Sequence, residues 1–419
     1  MPRSTARSPR TNGTTRTARP ASPAAGTSRT ARRTRGTAVT AVAAALALGI
    51  GALALPAGAA TAAPRPPVSC VTLAAGPDAD ALCEAISALP DDEATAAQIR
   101  VGGHGAWLGT AGVRDLDTGA PALRHARFRA GSTTKIVTAS MVLQLAAEGR
   151  IGLDRPVQRY LPGLFPDSFA PMTVRQLLNH TSGLKPGASF GDTTEDMWEH
   201  RFETMTPREV VAGSIAAGPG ATPGTVQRYS NIHYVVLGLM IEKVTGDTLA
   251  HQAQVRVFRP LGMRDSYFPV NGDPRIHGPH NRGYEKIGGR LTDVTDWNMT
   301  DRFAAGDLIS STADLETLLV SLFRGKVVPR PYLDQMFEVP EVKDYDTGED
   351  ATIGLGLERF VNPAGLEIWG KTGSRPGYHT VIAATRDLSR TVVYSVNSTD
   401  ARGDGNAIAQ RFAFPAFNR

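Results

Sequence analysis

The chain has 419 residues, 41% of them hydrophobic and 20% charged, which permits one large or two smaller packed domains and excludes a low-complexity or disordered majority. Its net charge is +5, yet nine arginines fall within residues 1–36, which contain no acid; without them the charge is −4. The basic excess therefore belongs to the leader, and a nucleic-acid-binding surface is not expected of the rest.

The first 63 residues read as an export leader. An arginine-rich start precedes an apolar stretch over 37–55, Pro56 ends it, and small-residue cleavage sites follow at Ala57-Gly58-Ala59 and Ala60-Thr61-Ala62. Arg32-Arg33 raises twin-arginine export, and an uncleaved anchor is the alternative to cleavage. A secreted protein is expected, with no stable membrane insertion once the leader is removed. Residues 64–97 read as a linker and a first helix over 80–88. Cys70 and Cys83 are the two cysteines of the chain. They read either as free thiols or, favoured by export, as a disulfide, and two cysteines without nearby histidine make no zinc site.

Residues 98–123 alternate as a β-hairpin. From 132 to 148 the period becomes helical and apolar on nearly every side, which predicts a buried helix ended at Gly149. A long, mainly helical region follows to about 330. It includes a second buried helix over 232–245 and a third from about Thr312, capped by Ser311 or Thr312. Strand signals return at 366–371, 378–385 and 390–395, and a helix over 405–412 closes the chain. Strands at both ends and helices between predict one α/β (α+β) domain over 98–415. Its antiparallel sheet would come from about 98–131 and 352–415, with an inserted helical part over about 132–330.

Three motifs carry chemistry. Ser132 and Lys135 stand in an S-x-x-K spacing, which on a helix places a hydroxyl and an amine on one face. A serine needs an adjacent base to become a nucleophile, and a buried lysine can be that base. Ser182 and Lys185 share the spacing, but Gly183 and Pro186 place them in a loop. Tyr229-Ser230-Asn231 precedes the second buried helix: its tyrosine can shuttle a proton, and Asn231 can donate to a substrate carbonyl. Taken alone, the tripeptide reads rather as an Asn/Ser helix cap with an aromatic ring packed beside it. Lys371-Thr372-Gly373-Ser374 ends a strand, supplying a cation, two hydroxyls and a backbone N–H that can join that of Ser132 as an oxyanion hole. The ordered conjunction carries the argument.

Two further patterns match only by letter. Residues 187–191 fit a G-x-S-x-G elbow without its strand and helix, and 365–372 fit a phosphate loop with a bulky, strand-like middle. His277 and His280 read as loop residues and His180 as a structural hydrogen-bonding residue.

With these motifs, and with LNHTSGL over 178–184 and AAGDLISSTADLETL over 304–318, the sequence resembles the serine β-lactamase-like, penicillin-recognising hydrolases. These include class C β-lactamases, a secreted actinomycete D-alanyl-D-alanine carboxypeptidase and related esterases. The resemblance implies the β-lactamase/transpeptidase-like fold, no cofactor or metal, and a monomer acting on a peptidoglycan stem peptide or a β-lactam. It implies an acyl-enzyme on Ser132, Lys135 and Tyr229 as proton carriers, and Lys371, Thr372 and Ser374 as holders of a substrate carboxylate. The carboxypeptidase is the preferred member; a β-lactamase, an esterase and a non-hydrolytic penicillin or cell-wall-peptide binder are the alternatives. Two departures are visible. The strand motif of the carboxypeptidase branch usually begins with His, whereas here it begins with Lys371, as in β-lactamases. An arginine follows Gly-Leu-Gly-Leu in the carboxypeptidase, whereas here Glu358 does, with Arg359 one position later.

Overall fold

The computed structural model describes residues 66–401, 403 and 405–417, so the leader expected over 1–63 lies outside the described residues. An eight-stranded antiparallel sheet organises them. Its main strands are β1 (Ser69–Ala74), β2 (Ala94–Gly103), β3 (Ala106–Asp115), β4 (Glu358–Val361), β5 (Glu367–Arg375), β6 (Tyr378–Ala384) and β7 (Arg390–Ser398). They lie in the order β1-β3-β2-β7-β6-β5-β4, and the short strand Ala120–Pro121 pairs with β3 off this path. The central pairing of β2 with β7 joins the two ends of the described chain, as the strand signals near both ends predict.

Each strand of the sheet centre is hydrophobic on both sides because both faces are covered. Trp369, Ile382, Ala384 and Val393 face the larger core, which includes α2 (Thr134–Ala147), α3 (Asn231–Thr245) and α4 (Thr312–Phe323). Their neighbours Ile368, Val381, Ala383, Val392 and Tyr394 face a second core. It is closed by α1 (Ala79–Ser87), α5 (Gly405–Phe412) and the short helix Phe414–Phe417. The two-residue period of the strands thus sorts side chains between two layers. Helix α2 is buried on nearly every side because it runs through the middle of the larger core. Ser311 caps α4 by accepting from the Asp314 N–H.

Three elements differ from the sequence expectation. The segment read as linker and first helix also supplies β1, an edge strand on β3. The motif over 371–374 lies inside β5 rather than at its end, because pairing with β6 continues to Arg375 opposite Tyr378. The inserted helical part also carries a small ribbon, Tyr284–Ile287 with Arg290–Asp293. Among the described residues no helix is long and apolar enough to cross a membrane.

Cys70 on β1 and Cys83 on α1 are joined by a disulfide across 13 positions. Closing a loop of that size removes unfolded-chain entropy worth about 3 kcal/mol. Cys83→Ser is therefore expected to lower unfolding stability by about 2–3 kcal/mol in a denaturant titration without affecting turnover. An unchanged midpoint would mean that the bridge does not form.

Candidate active site

The site begins where β5 meets the start of α2. Gly131–Thr133 forms one 3₁₀ turn that runs directly into α2, and three residues of helix bring Lys135 back onto Ser132. Lys135 Nζ lies 3.1 Å from Ser132 Oγ, 2.7 Å from Asn231 Oδ1 and 2.7 Å from the Ala305 carbonyl oxygen. Two of these partners are carbonyl-type acceptors that require a proton. A neutral Lys135 keeps both of those bonds with its two hydrogens and turns its lone pair to Ser132. Burial is the main cause that lowers the Lys135 pKa to about 8; Tyr229 opposes it, while Lys371 and Arg302 reinforce it. The amine is thus shaped and tuned as a base for that hydroxyl.

The loop that supplies Ala305 is bolted to α2. Thr138 Oγ1 donates to the Ala304 carbonyl at 2.7 Å, and Thr134 Oγ1 accepts from the Leu308 N–H at 3.1 Å. Ala304 holds φ at +59°, so the carbonyls of 304 and 305 can both turn towards the helix.

Tyr229 stands one residue before the Ser230 cap of α3. Its ring packs on His180 with centroids 4.7 Å apart, and His180 Nδ1 accepts from the Ser230 N–H at 3.3 Å. Two ammonium groups flank that ring, Lys135 Nζ at 4.9 Å and Lys371 Nζ at 4.7 Å from its centroid. Burial works to raise the phenol pKa. The two lysine charges, with hydrogen bonding to Lys135 and Ser132, outweigh it and hold the phenol below its usual range. Tyr229 nevertheless keeps 37% of its surface exposed, so a proton can pass between it and a bound molecule or water.

Beyond Gly370, which pairs with Glu358, the outer edge of β5 has no partner strand among the described residues. The 3₁₀ turn closes on that edge. A Cβ on Gly131 would lie 2.6 Å from Ser374 N, and one on Gly373 would lie 3.1 Å from Ser132 N. The close approach requires both glycines, and it brings the two backbone N–H groups expected of an oxyanion hole to one place.

The structure thus gathers Ser132, Lys135, Tyr229, Asn231 and Lys371, and it gives three side chains partners that the sequence did not indicate. Asn231 turns its oxygen to Lys135. The Ser374 hydroxyl, expected to hold a substrate carboxylate, donates to the Ala401 carbonyl. Lys371 Nζ, assigned the same task, forms an ion pair with Glu358 Oε2 at 2.8 Å. Burial works to lower the Lys371 pKa, but Glu358 and Tyr229 outweigh it and hold the ammonium above its usual range. Among the described residues the Thr372 hydroxyl has no partner. The loop pair Ser182 and Lys185 does not form a second site: Lys185 Nζ donates to the Ala217 carbonyl and Ser182 Oγ accepts from the Leu184 N–H. Among the described residues no cluster of three metal-ligating side chains occurs.

The Ala305 carbonyl escaped the sequence reading because a backbone acceptor carries no side-chain signature; the turn at Gly306 before a capped helix was the available sign. Glu358 was visible as a departure, though its bond to Lys371 was not.

Residues 84–413 match the protein-family model described as Beta-lactamase. Esterase EstB of Burkholderia gladioli is 34% identical over 191 residues, 41% of this chain and 46% of that protein. A putative D-alanyl-D-alanine carboxypeptidase of Escherichia coli K12 is 27% identical, over 59% of this chain and 62% of that protein. The alignments thus cover less than two thirds of these curated relatives. Among solved structures, a D-stereospecific amidohydrolase from Streptomyces sp. superimposes with a TM-score of 0.70 at 32% identity, covering 81% of this chain and 99% of that one.

Proposed function

Taking as premise that this chain belongs to the β-lactamase family of serine hydrolases, we propose that it cleaves amide bonds through an acyl-enzyme on Ser132, with a D-residue on the acyl side of the scissile bond. The observation that carries the reading is Lys135, whose two carbonyl-type partners leave its third position for the Ser132 hydroxyl. The likeness to a D-stereospecific amidohydrolase supports the D-residue. The D-alanyl-D-alanine end of a peptidoglycan stem is one bond of this kind, and the amide of a free D-amino acid is another.

In the first half-reaction Ser132 Oγ bonds to the carbonyl carbon while its proton passes to Lys135. The carbonyl oxygen, now negative, sits between the Ser132 and Ser374 N–H groups. The C–N bond then breaks, and Tyr229 delivers a proton to the departing nitrogen so that it leaves as a neutral amine. In the second half-reaction a water gives a proton to Tyr229 and its oxygen attacks the ester carbon. Ser132 recovers its proton and the acid departs.

The test is hydrolysis of D-alanine p-nitroanilide against its L-enantiomer, with the acylated peptide located by mass spectrometry. Turnover of the D-form with an adduct on the Ser132 peptide is expected; an adduct elsewhere, or equal use of both enantiomers, overturns the reading. The pH profile gives a second check. Lys135 accepts a proton only when neutral, so kcat/KM should rise about tenfold per pH unit on the acid side and level off above about pH 8. A plateau reached by pH 6 would exclude Lys135 as the base.

We propose further that the protein is exported through the leader over 1–63, a reading supported by the Cys70–Cys83 disulfide, since such bonds persist in oxidising compartments. Mass analysis of the protein from culture supernatant should find its N-terminus near residue 60 or 63; retention of the whole leader in the cell fraction would overturn export.

A further inference from the structure

We infer that Glu358 is a specificity-determining residue that neutralises Lys371 and restricts the enzyme to substrates whose leaving group carries no carboxylate. The inference rests on the acyl-enzyme reading above and selects within it: amides and carboxyl-blocked peptides are cleaved, and free peptide C-termini are refused.

Among the described residues, Lys135, Arg302 and Lys371 near the nucleophile each already have an internal acceptor. Lys135 is bonded to Asn231 and the Ala305 carbonyl, Arg302 is paired with Asp301 at 3.0 Å, and Lys371 with Glu358 at 2.8 Å. The Lys371–Glu358 pair is well shielded, the two side chains keeping 6% and 21% of their exposure. The second group that could hold a carboxylate, the Ser374 hydroxyl, is committed to the Ala401 carbonyl. A carboxylate brought to the edge of β5 beside Lys371 would have to displace Glu358 or lie next to it. Displacement strands a half-buried anion without its cation, and coexistence places two negative charges on one cation. A neutral carboxamide meets neither cost and can still accept a hydrogen bond from the Thr372 hydroxyl.

Two peptides that differ at one group measure this: N-acetyl-D-alanyl-D-alanine, and the same dipeptide with its C-terminus amidated. The wild-type kcat/KM is expected to favour the amidated peptide by about tenfold or more, mostly through KM. In Glu358→Gln the unpaired Lys371 is free to bind the carboxylate, and the ratio should fall by about tenfold or invert. Glu358→Asp keeps the charge and should keep the preference. A wild-type ratio near one, or one favouring the free carboxylate, overturns the inference whatever the variants do. So does an unchanged ratio in a folded Glu358→Gln. The acyl-Ser132 adduct from D-alanine p-nitroanilide, followed in the same preparations, separates this outcome from failure of the acyl-enzyme reading, in which no adduct forms at all.

Discussion

Tyr229→Phe is expected to lower kcat/KM on an amide substrate by about 10²–10⁴-fold, the usual yield of one positioned proton donor, while leaving the fold intact. Phenylalanine keeps the ring, and with it the packing on His180 at 4.7 Å and the face presented to Lys135 and Lys371. What it removes is the oxygen that those two ammonium groups make more acidic. Lys135 can still take the Ser132 proton, but nothing then protonates the departing nitrogen. The loss should therefore depend on the leaving group. An amine must be protonated to leave, whereas a p-nitrophenolate leaves as an anion. The D-alanine p-nitrophenyl ester should lose about tenfold or less where a simple amide loses most of its rate. Ser132→Ala sets the floor and should abolish both. Equal losses on ester and amide would assign Tyr229 a structural role, and an amide rate within threefold of wild type would remove it from the mechanism.

The parts of this architecture that repeat were legible in the sequence, and the parts built from single contacts were not. The strand-like runs over 378–385 and 390–395 announced strands, and those strands divide Ile382 and Val393 from Val381 and Tyr394 between the two cores. The apolar run around Ile136 and Val142 announced a central helix, because a helix without a polar face must be surrounded. The S-x-x-K spacing then fixed the Ser132–Lys135 contact through helix geometry alone. The strand end assigned to Lys371 was mistaken for a related reason: glycine reads as a breaker, whereas Gly373 serves close packing against the Ala130 carbonyl within a continuing strand. The Lys371–Glu358 bond joins residues 13 positions apart on neighbouring strands, and no local period encodes it. The same holds for the bond from Ser374 to Ala401. Both depend on the register of the sheet, and both decide what the site can bind.

Gly131→Ala is the second change with a large expected effect, and it tests the assembly of the site rather than its acids and bases. Gly131 holds φ at +53°, where a side chain costs about 1–2 kcal/mol by itself. A Cβ there would also lie 2.6 Å from Ser374 N, 2.9 Å from Ser374 O and 3.0 Å from the Gly373 carbonyl carbon, all backbone atoms of β5 that no rotamer can clear. The 3₁₀ turn must back away from the strand. The Ser132 and Ser374 N–H groups then separate, at a cost of about 10²–10³-fold in kcat, as for loss of one oxyanion donor. Gly149→Ala is the matched control. Gly149 holds φ at +71° after α2, with nothing within 4 Å of its Cβ position. It should lose about 1–2 kcal/mol of stability with full activity. Thermal melts and kcat for both variants distinguish the cases. If Gly131→Ala is destabilised no more than Gly149→Ala and keeps its rate, the two amides are not held together by this contact, and the negative oxygen must be stabilised elsewhere.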